Sequence, residues 1–420
     1  MTTIFAENEQ GGLSPEQIRE NLAKSVQGRN LKKVLLIPPD ITRLNSGAGL
    51  ITALYYELLE GVQVDILPAL GTHAPMTRIE QISFFGDKIP EDRFLEHNWR
   101  SGVTKIGEVP GAFVNDVSEG IMDETMYVEI SDHLLDPAYD LILSIGQVVP
   151  HEVVGMANYT KNIVVGCGGS RFINQSHMLG AFYGLERLMG KDHSPVRKVF
   201  DYAEENFISK LPVEYVLTVT VSEGEKTDII GLYIGKGRDG FNRAVELSRK
   251  HNLIYLEAPV KTCVVWLDER EFHSTWLGNK AIYRTRMAMA DGGRLIIIAP
   301  GVERFGEDRE NDRLIRKYGY IGRENILKLC KTEQELQNNL SAAAHLIHGS
   351  PDGRFEVVYA AGKLSKAEVE GVSFGHMPLD EAMANYNPGK LKTGYNKRPG
   401  GEEVFYIENP ALGLWAVGNS

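Results

Sequence analysis

Apolar runs of strand length alternate with amphipathic stretches of helix length along most of this chain, and that alternation restricts its fold more than any other feature. PEQIRENLAKSVQ reads as a helix, KKVLLIPPD as a strand running into a loop, AGLITALYYELLEG as a helix, and VQVDILPALGTH as a second strand ending in a loop. Further on, DLILSIGQ and NIVVGCGG look like buried strands, while MLGAFYGLERLMG and VRKVFDYAEENFIS have helical periodicity. Strand and helix in this order predict an α/β fold with mainly parallel sheets.

At 420 residues the chain is too long for one ordinary core, so two α/β domains with a cleft between them are expected. A second block starts near KTCVVWLD and continues with a helix through GNKAIYRTRMAMADGG, the strand RLIIIAPG, helices from Asn311 to about Ile347 and the strand RFEVVYAAG. The expected division is therefore 1–262 and 263–420. The stretch from about Pro388, rich in Gly and Asn, is free to pack back on either domain. No Pro/Ser-rich linker, charge block or internal repeat marks the boundary.

Composition narrows the function classes. A net charge of −11 argues against a nucleic-acid partner, which calls for clustered Lys and Arg. No apolar run approaches the roughly 20 residues that span a bilayer, and MTTIFAENEQGGLSPEQ lacks the basic and apolar regions of a signal peptide, so a cytoplasmic protein is expected. Cys167, Cys263 and Cys330 stand far apart without a CxxC pair, which excludes a cysteine-rich metal site.

GKGRDG (235–240) matches GxGxxG, follows the strand-like IIGLYI and precedes the helix-like FNRAVELSRKH. It is either the phosphate loop of an NAD-dependent dehydrogenase, with Glu257 near the place of a ribose-binding carboxylate, or an ordinary glycine-rich turn. Lys236 and Arg238 give it the look of a solvated turn, and no further βαβ repeats surround it.

The polar residues at strand ends carry more chemistry. PPDITRLN (38–45) ends the first strand; Asp40 and Thr42 are either helix caps or, with Arg43, part of an anion site. His73 in ALGTHAPMT and His97 in EHNWRSG lie in similar loops, and with His151 and His177 would bring four imidazoles to one sheet edge, as acid/base groups or metal ligands. In PHEVVGMANYTKNIVVGCGGSRFINQSH, His151 precedes Lys161 by 10 residues and His177 follows it by 16. That spacing is not the HExxH of a helix-borne zinc site. Lys161 is either a snorkelling surface lysine or a desolvated nucleophile.

Taken in order, these segments resemble the nickel-dependent lactate racemase family over most of the chain. Asp40-Ile41-Thr42-Arg43 matches its Asp-x-Thr-Arg loop, Gly71-Thr72-His73 its Gly-Thr-His loop, and His97, His151, Lys161 and His177 its histidines and lysine at the same spacing. In the second domain its Gln-x-x-Lys pair falls on Leu277 and Lys280.

The resemblance implies a nickel-pincer nucleotide, pyridinium-3,5-bisthiocarboxylic acid mononucleotide, attached covalently at Lys161, with nickel held by His177. It implies that Asp40, Ile41, Thr42 and Arg43 contact the cofactor, that Arg43, Leu277 and Lys280 contact substrate, and that His97 and His151 are the acid/base pair. The implied reaction is racemisation or epimerisation at the hydroxyl-bearing carbon of a 2-hydroxy acid, by an enzyme supplied by cofactor-synthesis partners. Leu277 stands where the family commonly has Gln, Leu44 follows Arg43 in place of proline, Ala74 replaces an arginine, and Asn158-Tyr159 replace Gly-Gly. With Tyr159 expected beside the tether, these departures point away from lactate and toward a different or larger acid, such as a sugar acid. A binding protein of the same fold without cofactor is the rival from another class; the retained histidines and lysine speak against it.

Overall fold

The computed structural model describes residues 3–223 and 226–418. Chain contacts divide it into two units: the chain up to Tyr183 with Arg187–Asn252, and Gly184–Glu186 with the chain from Leu253.

The strands of the first unit are β1 (Ile4–Glu7), β2 (Lys33–Ile37), β3 (Gln63–Ile66), β4 (Val103–Val109), β5 (Met126–Ser131), β6 (Leu141–Gln147), β7 (Pro150–His151), β8 (Gly155–Met156), β9 (Val213–Glu223) and β10 (Lys226–Gly235). The main sheet has the order β1-β10-β9-β6-β2-β3. β9, β6, β2 and β3 run parallel. β10 is antiparallel to β9, and β1 to β10. Successive residues of a strand face opposite sides, and β2 shows the consequence: Leu35 and Ile37 enter one buried core, Val34 and Leu36 the other. Such a strand must be apolar throughout, which is why KVLLI was legible.

NIVVGCGG does not form the expected strand. Asn162–Gly166 is a π-helical turn leading into the helix Ser170–Tyr183. A short buried apolar run reads alike as strand or helix, and here a side chain decides. Asn162 Nδ2 donates to the Ile37 carbonyl at 3.1 Å and to Ser144 Oγ at 3.0 Å, while the Asn162 carbonyl accepts from the Cys167 N–H at 3.0 Å. His177 consequently sits within a helix, not at a strand end.

GKGRDG lies at the end of β10, an antiparallel strand, and leads into the helix Asp239–Asn252. The next strand pairs in the other unit, so the parallel βαβ unit of a dinucleotide fold does not form around this loop. Arg238 is instead ion-paired with Asp201.

The second unit holds β11 (Leu253–Leu256), β12 (Val260–Trp266), β13 (Met289–Ala299), β14 (Glu356–Ala361), β15 (Gly375–His376), β16 (Gly394–Lys397), β17 (Glu403–Ile407) and β18 (Leu414–Val417). Its main sheet has the order β15-β14-β13-β12-β17-β16 and is parallel except for β16. β11 pairs with β18, which draws the residues before 262 into this unit. The segment after Pro388 belongs here as well, through β16, β17 and β18. The helix expected through 278–293 is shorter, Lys280–Thr285, and β13 already begins at Met289. Among the described residues no helix is long and apolar enough to cross a membrane.

Candidate functional site

Because β2, β3 and β6 are parallel, their C-terminal ends open on one edge of the sheet, and the loops after them carry the polar residues singled out in the sequence. After β2, Asp40 caps the short helix Ile41–Ser46 by accepting from the Thr42 N–H at 3.1 Å, and its second oxygen lies 2.5 Å from His73 Nδ1 in the loop after β3. Burial alone would raise the Asp40 pKa, but His73, the Thr42 hydroxyl and Arg43 outweigh it and hold the carboxyl down at about 2. The cap reading of Asp40 is thus the one the structure shows, with a bonded His73 added. Ile41 is partly buried against the core beneath.

Arg43 is free for another role. Its guanidinium reaches only the Thr42 carbonyl and hydroxyl, both at 3.3 Å, and ion-pairs with no carboxylate among the described residues. A half-buried guanidinium without an anion suits a carboxylate or phosphate.

Lys161 opens the π-helical turn and is only partly exposed. Desolvation, then the positive charge of Arg43, lowers its pKa from the usual 10.5 to about 8, so a useful fraction of the amine is neutral near physiological pH. The Lys161 backbone is held from both sides. Thr160 Oγ1 donates to Glu204 at 3.3 Å, and Asn162 is bonded to the end of β2 and the middle of β6 as described.

Asn158 and Tyr159, just ahead of it, both have left-handed backbones, with φ of 66° and 57°. This costs on the order of 1–2 kcal/mol for a residue such as Tyr and less for Asn, whereas glycine adopts the region freely. The Gly-Gly of the resembled family therefore has a conformational reason. Tyr159 does not stand beside the lysine as expected. It is 2% exposed, with its ring stacked on Phe241 at 5.1 Å and against Tyr215 at 4.4 Å. A ring so enclosed offers a substrate neither bulk nor a hydroxyl.

His177 Nδ1–H donates to the Ile173 carbonyl one turn earlier at 2.7 Å, which leaves the Nε2 lone pair available. Burial, reinforced by Lys161, lowers its pKa to about 4 despite that carbonyl, so the ring is neutral. A neutral imidazole with its far N–H fixed by a carbonyl is the usual state of a metal ligand. Among the described residues no group of three or more His, Cys, Asp and Glu forms a metal set. His177 Nε2 by itself supplies a single imidazole donor.

His97 and His151 present opposite faces of the imidazole. His97 Nε2–H donates to the Gly168 carbonyl at 3.0 Å, leaving a buried, unpartnered Nδ1, and burial lowers its pKa. His151 Nδ1 accepts from the Val153 N–H at 3.1 Å, so its neutral ring carries the proton on Nε2. Leu277 and Lys280 lie in the second unit, on consecutive short helices. Leu277 N–H is capped by Ser274 Oγ at 3.3 Å, and Lys280, 7% exposed, sits with Nζ 5.6 Å from the Phe272 ring centre.

Sequence reasoning passed over Arg197, Asn162 and Glu204. Arg197 sits in an amphipathic helix, Pro195–Asn206, where it reads as one more solvated charge; it is fully buried. Only the asparagine beside a suspect lysine was a visible signal.

Fold and site together define a two-unit α/β protein whose first unit brings Lys161 within electrostatic reach of Arg43 and of the neutral His177. Residues 14–186 match the family model of the lactate racemase N-terminal domain. A crystal structure of a Thermotoga maritima protein is similar over 98% of this chain and 100% of its own, with a TM-score of 0.82 and 26% identity. The lactate racemase apoprotein of Thermoanaerobacterium thermosaccharolyticum is similar over 96% of this chain and 90% of its own, with a TM-score of 0.69 and 17% identity. No curated protein sequence matches.

Proposed function

We propose that this protein is a racemase or epimerase that inverts the hydroxyl-bearing carbon of a 2-hydroxy acid, using a nickel-pincer nucleotide tethered at Lys161. The observation that carries the reading is the pairing of Lys161, with its lowered amine pKa, and His177, whose Nδ1 is bonded to a main-chain carbonyl and whose Nε2 has no hydrogen bond among the described residues. Lys161 would hold the cofactor covalently, His177 would ligate nickel, and the bound group would supply a hydride acceptor.

The chain's own residues account for the rest. Arg43, lacking a carboxylate partner, is suited to hold the substrate carboxylate or a cofactor anion. His97 offers a lone pair at Nδ1 and His151 a proton at Nε2, so one ring accepts the hydroxyl proton while the other donates to the oxygen. Leu277, in place of a polar residue, favours an acid other than lactate, of which a sugar acid remains one class; the buried Tyr159 ring no longer adds to that choice.

The test is intact-mass and nickel analysis of protein produced together with the cofactor-synthesis enzymes, followed by chiral analysis of a panel of 2-hydroxy acids without added nicotinamide. The expected result is a Lys161 adduct, bound nickel and inversion of at least one acid. Protein with neither adduct nor nickel would identify a non-catalytic member of the family.

A further inference from the structure

Arg197 is the most deeply buried charged side chain of the first unit, and nothing in the proposed chemistry uses it. It is 0% exposed, and its Nη2 donates to the Met156 carbonyl at 2.6 Å and the Asn158 carbonyl at 3.1 Å. Nε and Nη1 have no hydrogen-bond partner among the described residues, and the guanidinium carbon lies 4.5 Å from the Phe241 ring centre. A buried guanidinium is costly, and here its direct bonds go to main-chain carbonyls rather than to a carboxylate.

Those two carbonyls belong to the segment that enters the left-handed Asn158–Tyr159 pair. Asn158 Oδ1 accepts from the Tyr159 N–H at 2.7 Å, and the Tyr159 ring stacks on the same Phe241 that the guanidinium covers. Immediately beyond, Thr160 is bonded to buried Glu204, which also accepts from Tyr215. Strained conformations persist only where the surroundings over-determine them, and here the fastenings converge on the five residues before Lys161.

We infer that Arg197 is a positioning residue: it clamps the left-handed Asn158–Tyr159 turn and thereby fixes the direction in which Lys161 presents its amine. Its purpose rests on the reading of Lys161 as the tether, but the clamp itself is measurable without cofactor.

Hydrogen exchange on the cofactor-free protein reads the clamp directly. In Arg197→Met the amides of residues 156–162 are expected to exchange at least about tenfold faster, while those of β2 and β6 keep their protection. Arg197→Lys, which retains a donor, should recover part of that protection. Asn158→Gly, which adopts the left-handed region without strain, should recover part of it in the Arg197→Met background. Unchanged protection at 156–162 in a folded Arg197→Met, or equal loosening of β2 and β6, overturns the inference. Should Arg197→Met fail to fold, Arg197→Lys decides: selective loosening of 156–162 supports the clamp, and wild-type protection there overturns it. In protein made with the cofactor-synthesis enzymes, the Lys161 adduct fraction should fall in Arg197→Met and recover in Arg197→Lys. Absence of any adduct in the wild type would sink the tether reading and leave the exchange result standing.

Discussion

The Asp40 carboxylate lies 2.5 Å from His73 Nδ1, and this contact ties the loop after β2 to the loop after β3. Asp40 has a folded pKa of about 2, below its usual 3.8, so its charge adds stability that is present above the unfolded value and lost as pH falls through about 2. The shift corresponds to about 2 kcal/mol. Asp40→Asn keeps the cap on Thr42 and removes only the charge. It should therefore destabilise the first unit by about 2 kcal/mol at pH 7 and by almost nothing near pH 2. Denaturant unfolding followed through Trp99, the first unit's own tryptophan, at both pH values measures this. An equal loss at both would show that the pair with His73 contributes through packing alone.

Removing the two candidate cofactor residues should give different signatures. His177→Ala should retain the Lys161 adduct but lose nickel, because the ring contributes the metal donor and not the covalent bond. Lys161→Ala should lose both together. Each should lower inversion by at least about 100-fold. Metal analysis beside intact mass separates the cases, and nickel retained by His177→Ala would remove that histidine from the metal site.

The parallel sheet and the strand-end loops were legible because a strand covered on both faces must be apolar along its whole length and must end where the chain turns polar. KVLLI and LILSIG could scarcely be anything else. NIVVGCGG was misread because its decisive contacts, from Asn162 to Ile37 and Ser144, join residues far apart in sequence. Arg197 was invisible for a related reason. A helix periodicity shows which face is apolar, but not that an arginine on that helix reaches two main-chain carbonyls 39 and 41 positions earlier. The left-handed pair could be suspected chiefly through the glycines of the resembled family, since Asn adopts a positive φ more readily than most residues but Tyr does not announce one.

The acid/base pair can be tested with substitutions that keep each ring's structural hydrogen bond. His97→Gln places an amide where Nε2 meets the Gly168 carbonyl, and His151→Asn places an oxygen where Nδ1 meets the Val153 N–H. Both should fold, and both should lose about 10²- to 10⁴-fold in kcat/KM. The equilibrium constant links the two directions, so each variant should lose the same factor from either stereoisomer. Burial lowers the His97 pKa, so it stays an acceptor well into the acid range, and the acid limb of kcat/KM assigned to it should fall below the ordinary value of about 6.5. A limb above that value would mean that His97 is not the base.

Tyr159 shows how opposing effects are weighed. Replacing it with glycine relieves the strain at φ 57°, a gain on the order of 1–2 kcal/mol, but removes a ring stacked between Phe241 and Tyr215. Deleting a buried aromatic side chain costs about 3–5 kcal/mol, so Tyr159→Gly should destabilise the first unit by about 1–4 kcal/mol. Tyr159→Phe keeps the stack. Because the ring is enclosed, it should leave the ranking of 2-hydroxy acids by kcat/KM unchanged. Urea unfolding of both variants, with the substrate panel run on Tyr159→Phe, checks the two halves separately. A changed ranking in Tyr159→Phe would return this tyrosine to the substrate.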